Sequence, residues 1–306
     1  MKIAVFGGSG FLGSHVADVL SEAGHGVVIY DLKASPYLQK SQGMVLGDVL
    51  DEKKVHNTIE GCDVVYNFAG ISDIGEASVR PLDSIKSNIL GNSIILEACR
   101  KSGVKRFVFA SSLYVYSKAG SFYRSTKLAC ESIAEDYNEI FGIPYTILRY
   151  GSLYGPRADE RNFIYTKIKE ALQENKVVRL GDGEEIREYI HVHDAAKASV
   201  DILDDEYRNQ YAIITGNQQM KVKDLLLMIK EMLGNKIEIE YRPPRKTDHY
   251  EITPYVFAPK MAKRIVSKSY FDLGQGILKC IQSVYEELNK HSTHDGLVVK
   301  EGPVEA

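Results

Sequence analysis

Gly7-Gly8-Ser9-Gly10-Phe11-Leu12-Gly13 decides how this chain is read. The run before it, Ile3–Phe6, is short, apolar and strand-like. The run after it, Phe11–Ala23, has helical spacing. A strand, a glycine turn and a helix in that order put a helix N-terminus over the turn, with unpaired N–H groups and a positive dipole end. Read as G-x-x-G-x-x-G, the glycines are Gly7, Gly10 and Gly13, with Phe11 and Leu12 inside the motif. One glycine permits the tight turn, one lets the backbone approach a pyrophosphate, and one permits close helix packing. The second strand, Val27–Tyr30, ends in Asp31-Leu32. An acidic residue about 20 positions after the glycines accepts hydrogen bonds from an adenosine ribose and repels a 2′-phosphate. Asp31 therefore favours NAD over NADP.

The same rhythm continues outward. Strand-like runs Met44–Leu46, Val64–Asn67, Phe107–Ala110 and Tyr145–Leu148 alternate with helix-like runs Asp51–Ile59, Leu82–Lys101 and Thr126–Phe141. Such alternation implies an α/β fold with a doubly wound parallel sheet covered on both faces, a Rossmann arrangement with right-handed crossovers. Gly47-Asp48-Val49 closes the third strand, which brings Asp48 and Val49 to the strand ends where an adenine lies. After Arg149 the pattern loosens into turn-rich stretches and shorter elements: helices at Phe163–Gln173 and Lys223–Leu233, and strands at Val177–Leu180, Tyr211–Ile214 and Ile237–Tyr241. The expected organisation is an NAD-binding Rossmann domain over 1–150 and a smaller, mainly substrate-binding lobe over 151–289. Strands near 177–180 and 211–214 are expected to return to the main sheet, and 290–306 to form a polar tail.

Composition narrows the function classes. Hydrophobic residues make up 44% and charged residues 26%, ordinary for a soluble globular chain. A net charge of -3 argues against a nucleic-acid coat, which needs a basic excess. Cys62, Cys99, Cys130 and Cys280 include no C-x-x-C pair, so neither a zinc knuckle nor a redox motif is indicated, and scattered thiols read as reduced. There is no apolar run long enough to span a membrane. The expectation is a cytoplasmic protein with no membrane partner.

Tyr123-Arg-Ser-Thr-Lys127 is Y-x-x-x-K near a helix start. Residues at i and i+4 share a face, so the lysine ammonium can stabilise a tyrosinate. A phenol of ordinary pKa about 10 needs such a neighbour to act as a base near neutrality. The motif alone is common on solvated helices; with the N-terminal fingerprint it reads as catalytic. Upstream, Phe107–Ser112 is a buried strand that emerges into hydroxyls, at the strand end where ligands sit in such sheets. There Ser112 can bond the oxygen that loses its proton. His191 and His193 share a strand face, which suits a metal.

From Lys2 to about Glu287 the sequence resembles the extended short-chain dehydrogenase/reductase family, in its nucleotide-sugar epimerase/dehydratase branch. The resemblance rests on GGSGFLG (7–13), GDV (47–49), NFAG (67–70), the helix with Asn88 and Gly91, FVFASS (107–112), YRSTKLACE (123–131), LRYGSLYGPR (148–157) and GDGEEIREYIHVHD (181–194). It implies that Tyr123 is the general base and acid, Lys127 its electrostatic partner, and Ser112 the residue that positions a sugar hydroxyl, usually at C4. It implies that Phe68, Ala69 and Gly70 line NAD, that Asn88 approaches it, and that Tyr150 lies by the nicotinamide. Asn162 and Arg187 would meet the nucleotide diphosphate, with Ser72, Ser152 and Arg245 completing the substrate set. Against a metal at His191 and His193, the resemblance implies a strand-to-helix corner there, with Asp194 as the cap.

Three departures from the family pattern matter. Ser112 and Tyr123 are joined by a shortened connection, so the sugar pocket is expected to be more open. Leu113-Tyr114 stand where 4,6-dehydratases carry an Asp-Glu pair, which argues against dehydration. Ser152 replaces a family asparagine, which leaves the sugar open. The resulting expectation is NAD-dependent oxidation of a UDP- or GDP-linked sugar at C4, by a 4-dehydrogenase or a 4-epimerase, in a homodimer paired through the helices at 82–101 and 126–141. The alternatives are a non-catalytic NAD(P)-binding sensor or scaffold and an NADPH-dependent reductase of a small carbonyl compound.

Overall fold

Ile3, Ala4, Val5 and Phe6 are completely buried, although their side chains point alternately to opposite faces of the strand. That requires a sheet covered on both sides. The computed structural model describes residues 1–216, 219–243 and Glu251. Arg245 and the expected tail lie outside the described residues. The chain divides into two compact units, 1–258 and 259–306, and the described residues all belong to the first.

The main sheet has seven strands, all parallel. They are β1 (Lys2–Phe6), β2 (Gly26–Asp31), β3 (Gly43–Leu46), β4 (Val64–Asn67), β5 (Arg106–Ser112), β6 (Tyr145–Tyr150) and, much later in the chain, β10 (Gln210–Ile214). Their order across the sheet is β10-β6-β5-β4-β1-β2-β3. The order reverses between β1 and β4, and ligands bind at such a switch point, outside the C-terminal strand ends. One face is covered by α1 (Phe11–Glu22) and α8 (Val192–Asp201), whose Val16, Leu20, Val192 and Ala196 join Ile3, Val5 and Ile29 in one apolar core. The other face is covered by α2 (Glu52–Ile59), α5 (Gly91–Ser102) and α6 (Ser121–Phe141), with Ile59, Leu96 and Cys130 packed on Phe6, Phe107 and Phe109. Asp51 caps α2 by accepting a hydrogen bond from the Lys54 N–H at 3.0 Å.

A third apolar cluster is built from α7 (Phe163–Glu174), β8 (Lys176–Leu180) and α9 (Val222–Met232), around Ala171, Val177, Leu226 and Ile229. Of the two late strands expected at the main sheet, 211–214 lies there as β10. The other does not. β8 pairs in parallel with β12 (Glu238–Arg242) in a separate two-stranded sheet. The free edge of β6 is already taken by β10, and Val177 finds its apolar partners on α7 and α9 instead. Between them, β7 (Ser152–Tyr154), β9 (Ile186–His191) and β11 (Gln219–Lys221) make a three-stranded sheet.

Three local expectations need correction. The helix expected over 82–101 is composite: α3 (Ile74–Val79) leads to α4 (Pro81–Ser84), then to a π-helical stretch, Ile85–Leu90, and then to α5. The widened turn lets the Asn88 carboxamide face the 70–72 loop. At the 191–194 corner the cap is His191, whose Nδ1 accepts from the His193 N–H at 3.4 Å; Asp194 lies exposed in the first turn. Finally, α6 begins at Ser121, earlier than 126, so Tyr123 and Lys127 both sit inside its first two turns. No helix among the described residues is long and apolar enough to cross a membrane.

The β1–α1 junction depends on the absence of a side chain at Gly13. A Cβ there would strike the Gly7 carbonyl oxygen and come within 3.0 Å of Gly8 Cα, all backbone that cannot turn aside. Alanine would gain about 1 kcal/mol of helix propensity but would force the helix away from the turn, at about 1–3 kcal/mol. Gly13→Ala is therefore expected to lower stability in urea titration despite its better propensity, and to weaken NAD binding. Unchanged stability with unchanged NAD affinity would show that the contact relaxes without consequence.

Candidate active site

One cleft of about 1630 Å³ opens at the C-terminal ends of the main-sheet strands. Gly7 turns the chain with φ +75°, and a Cβ on it would lie 2.6 Å from the Ala69 nitrogen, so β1 and the loop after β4 touch backbone to backbone. Gly10, Phe11, Leu12 and Gly13 line the cleft above this contact. No side chain caps α1, and its first turn holds no acidic residue. Its N–H groups and dipole are thus directed at the cleft, as a phosphate requires. Asp31 ends β2, with Oδ2 accepting from the Ser9 N–H at 3.0 Å and Oδ1 from the Lys33 N–H at 3.2 Å. Two bonds leave an ionised carboxylate further acceptor positions for a pair of ribose hydroxyls. Leu32, Asp48 and Val49 complete this end. Tyr30 donates its hydroxyl to the Asp48 carbonyl at 2.6 Å, which fixes the turn after β3. These features fit NAD.

Phe68, Ala69, Gly70 and Ser72 line the cleft beside them. Asn88, expected to approach the cofactor, does not line it and is 4% exposed. Its Oδ1 accepts from the Ile71 N–H at 2.7 Å, and its Nδ2 donates to the Ile71 carbonyl and to Thr126 Oγ1, each at 3.0 Å. Asn88 therefore holds the loop that carries Gly70 and Ser72 against α6.

The catalytic candidates converge on the same cleft. Ser112 ends β5, Tyr123 and Lys127 project from α6, and Tyr150 ends β6. Lys127 is buried; its Nζ donates to the Ala110 carbonyl at 2.6 Å and lies 4.7 Å from the Phe109 ring centre and 5.8 Å from that of Tyr123. Burial pushes its pKa down to about 8, against the opposing pull of Cys130 and Glu131. Ser112 Oγ accepts from the Tyr114 N–H at 3.3 Å, which leaves its own proton for a ligand oxygen. The shortened connection folds as a 3₁₀ turn, Leu113–Tyr116. Leu113 is fully buried and Tyr114 lines the cleft, its ring edge-on to Tyr123 at 6.1 Å. Tyr150 bonds Ser199 Oγ through its hydroxyl at 2.6 Å, and burial holds its pKa well above the ordinary range.

Across the cleft, Ser152, Asn162 and Arg187 also line the wall. Asn162 caps α7, with Oδ1 accepting from the Tyr165 N–H at 3.1 Å and Nδ2 donating to the Leu153 carbonyl at 2.7 Å. Its amide is thus largely committed to the loop. Arg187 Nη1 donates to the Ile186 and Glu251 carbonyls at 2.9 and 3.2 Å. Arg179, Lys167 and Lys221 line the same wall, and sequence reasoning missed them because none belongs to a motif. Arg179 is paired with Glu185 and lies over the Phe163 ring at 5.4 Å. Lys221 is paired with Glu184 and Lys167 with Glu170, so a diphosphate would share these cations with neighbouring carboxylates. His193 lies between His15 and His191, with ring centres 4.8 and 5.2 Å away. No group of three metal-ligating side chains occurs among the described residues.

Residues 3–213 match the model of the NAD dependent epimerase/dehydratase family. A curated relative, the UDP-N-acetyl-alpha-D-glucosaminuronate decarboxylase of Bacillus cytotoxicus, is 28% identical over 80% of this chain and 84% of its own. The UDP-glucose 4-epimerase of Thermotoga maritima, crystallised with UDP-glucose, superimposes with a TM-score of 0.78 at 28% identity, over 84% of this chain and 90% of that one. The UDP-glucose 4-epimerase of Thermus thermophilus in complex with NAD gives 0.75 at 25% identity, over 85% and 91%. The chain belongs to the NAD-dependent epimerase/dehydratase family.

Proposed function

We propose that this protein is an NAD-dependent 4-epimerase of a UDP-linked hexose. The observation that carries the reading is the convergence, in one cleft, of the uncapped α1 terminus and Asp31 with Ser112, Tyr123 and Lys127. The relatives that bind UDP-glucose and NAD support the uridine nucleotide over GDP and epimerisation over net dehydrogenation. NAD, when bound, supplies the acceptor for the C4 hydrogen and returns it. The chain's residues do the rest. Tyr123 takes the proton of the 4-hydroxyl and later gives it back, Lys127 holds the phenolate charge, and Ser112 donates to the same oxygen. The wall of Arg179, Arg187 and Lys221 holds the diphosphate while the sugar turns over. Leu113-Tyr114 offer no carboxyl pair for removing water, which disfavours dehydration. The labour divides at about residue 150, with NAD on the first lobe and the nucleotide sugar mainly on the second, in a cytoplasmic enzyme.

A homodimer accounts for the exposed apolar side chains of Leu82, Ile85 and Leu90 on the 81–102 helix and Phe122, Ile140 and Phe141 on α6. Sedimentation is expected to give twice the 34.2 kDa chain mass, and Ile140→Lys with Leu82→Lys to release monomers. A wild-type monomer at micromolar concentration would rule this pairing out.

Incubated with UDP-glucose, the enzyme is expected to give a product of equal mass with inverted C4, seen by NMR. A product lighter by two hydrogens would instead mean a dehydrogenase; loss of carbon dioxide from UDP-glucuronic acid, assayed in parallel, would mean a decarboxylase. Tyr123→Phe should lower kcat by about 100-fold or more while NAD binding persists.

The pKa of Lys127 sets a further expectation. Its cation is the working form, so kcat/KM should fall as pH rises through about 8. Stability responds in the opposite direction. Between about 8 and the ordinary lysine value of about 10.4, the unfolded chain keeps a proton that the folded chain has lost, so the contribution of Lys127 to stability rises with pH. Lys127→Met should therefore be the more stable protein at pH 7, with its advantage shrinking towards pH 10. A constant difference in denaturation free energy across that range would contradict the assignment.

A further inference from the structure

Behind the cleft, out of contact with it, lies a buried carboxylate with no assigned part in the reaction. Glu131 is 3% exposed and sits two turns beyond Tyr123 and one beyond Lys127, on the same face of α6. Its Oε1 accepts from Ser111 Oγ at 2.5 Å and from Arg149 Nε at 3.0 Å, and its Oε2 accepts from Arg149 Nη2 at 2.7 Å. Ser111 is the residue before Ser112 on β5, and Arg149 is the residue before Tyr150 on β6. One carboxylate therefore ties together the three elements that carry the catalytic groups. Arg149 extends the tie: its Nη1 donates to Tyr116 Oη at 2.5 Å, and its guanidinium lies 4.6 Å from the Tyr116 ring centre and 4.3 Å from that of Tyr211. Tyr116 closes the 3₁₀ turn that Ser112 caps.

A buried ion pair is a poor way to gain stability, because well-packed apolar side chains do as well or better. What a bidentate, fully bonded pair provides is a fixed geometry. We propose that Glu131 is a positioning residue for the reaction: through Ser111 and Arg149 it sets Ser112 and Tyr150 in register with Tyr123 and Lys127. This rests on the epimerase reading for its kinetic consequence but not for its spectroscopic one. The charged and titratable groups that face Glu131 are Lys127 and Cys130 on its own helix, Arg149 and Tyr145 on β6, and Tyr211 on β10. Tyr211 is itself bonded to Glu135 at 2.6 Å.

Two variants test the idea without leaving a lone buried charge. Ser111→Ala cuts only the tie to β5. Glu131→Met combined with Arg149→Met replaces the pair by apolar volume. Both are expected to melt within about 4 °C of wild type. In protein labelled with carbon-13 at the tyrosine Cζ, the Tyr123 resonance is assigned by its loss in Tyr123→Phe. Its titration midpoint should rise by about half a unit or more in both variants, as the end of β5, with the Ala110 carbonyl that holds Lys127 and with Ser112, shifts against the phenol. With UDP-glucose, kcat should fall about tenfold while KM stays within about twofold, the signature of misplaced reacting groups rather than weakened binding. A Tyr123 midpoint unchanged in both folded variants overturns the proposal, whatever the turnover. If wild type turns over no nucleotide sugar, the functional reading fails while the titration still decides the role of Glu131.

Discussion

The ammonium of Lys127 is buried at the floor of the cleft, with the Ala110 carbonyl as its hydrogen-bond partner and two aromatic rings beside it. Taking a cation out of water carries a penalty of several kcal/mol even after the surroundings relax. The local structure is arranged around that penalty. Helix α6 delivers the side chain to the end of β5, where a strand-terminal carbonyl is turned towards it. The phenol of Tyr123 one turn earlier is the group whose ionisation relieves the charge. The lysine charge is thus poorly solvated in the resting fold, which favours a phenolate beside it. Stability given up here returns as basicity at one oxygen.

Much of this was legible in the sequence for a physical reason. Short continuous apolar runs and period-3.6 runs alternate up to Tyr150, because the inner strands there are buried on two faces and tolerate few polar residues, while only the edge strand β3 is half-exposed. The glycines of 7–13, Asp31, Ser112, Tyr123 and Lys127 could be named because each satisfies a constraint that few residue types meet. Beyond Tyr150 the strands are half-exposed and short, and the pairing of β8 with β12 depends on which edges remain open, which no local pattern encodes.

Other features escaped for a different reason: they are properties of pairs rather than of segments. The π-helical stretch at 85–90 carries Asn88, which bonds Ile71, a residue that precedes it by a loop and two helices. The cap at the start of α8 is a histidine, a type that capping preferences do not favour. Arg179 and Lys221 reach the cleft from separate elements with no shared spacing, and the bond between Glu131 and Arg149 joins a helix to a strand. Such contacts are written in the fold and only indirectly in the chain.

The position of β10 at the edge of the main sheet bears on how the protein is made. The strand beside it, β6, is complete once residue 150 has been synthesised, yet its outer row of backbone donors and acceptors stays unpaired until residues 210–214 emerge. During that interval the nascent chain presents an open, apolar edge of parallel sheet, the kind of surface that recruits foreign strands. The whole stretch from 151 to 209 is produced as an excursion from an unfinished sheet. A gene fragment ending near 150 would encode the glycine fingerprint and the proposed catalytic trio intact, and would still yield a sticky, edge-exposed product. The natural seam of this molecule therefore lies well past the point where its binding motifs end.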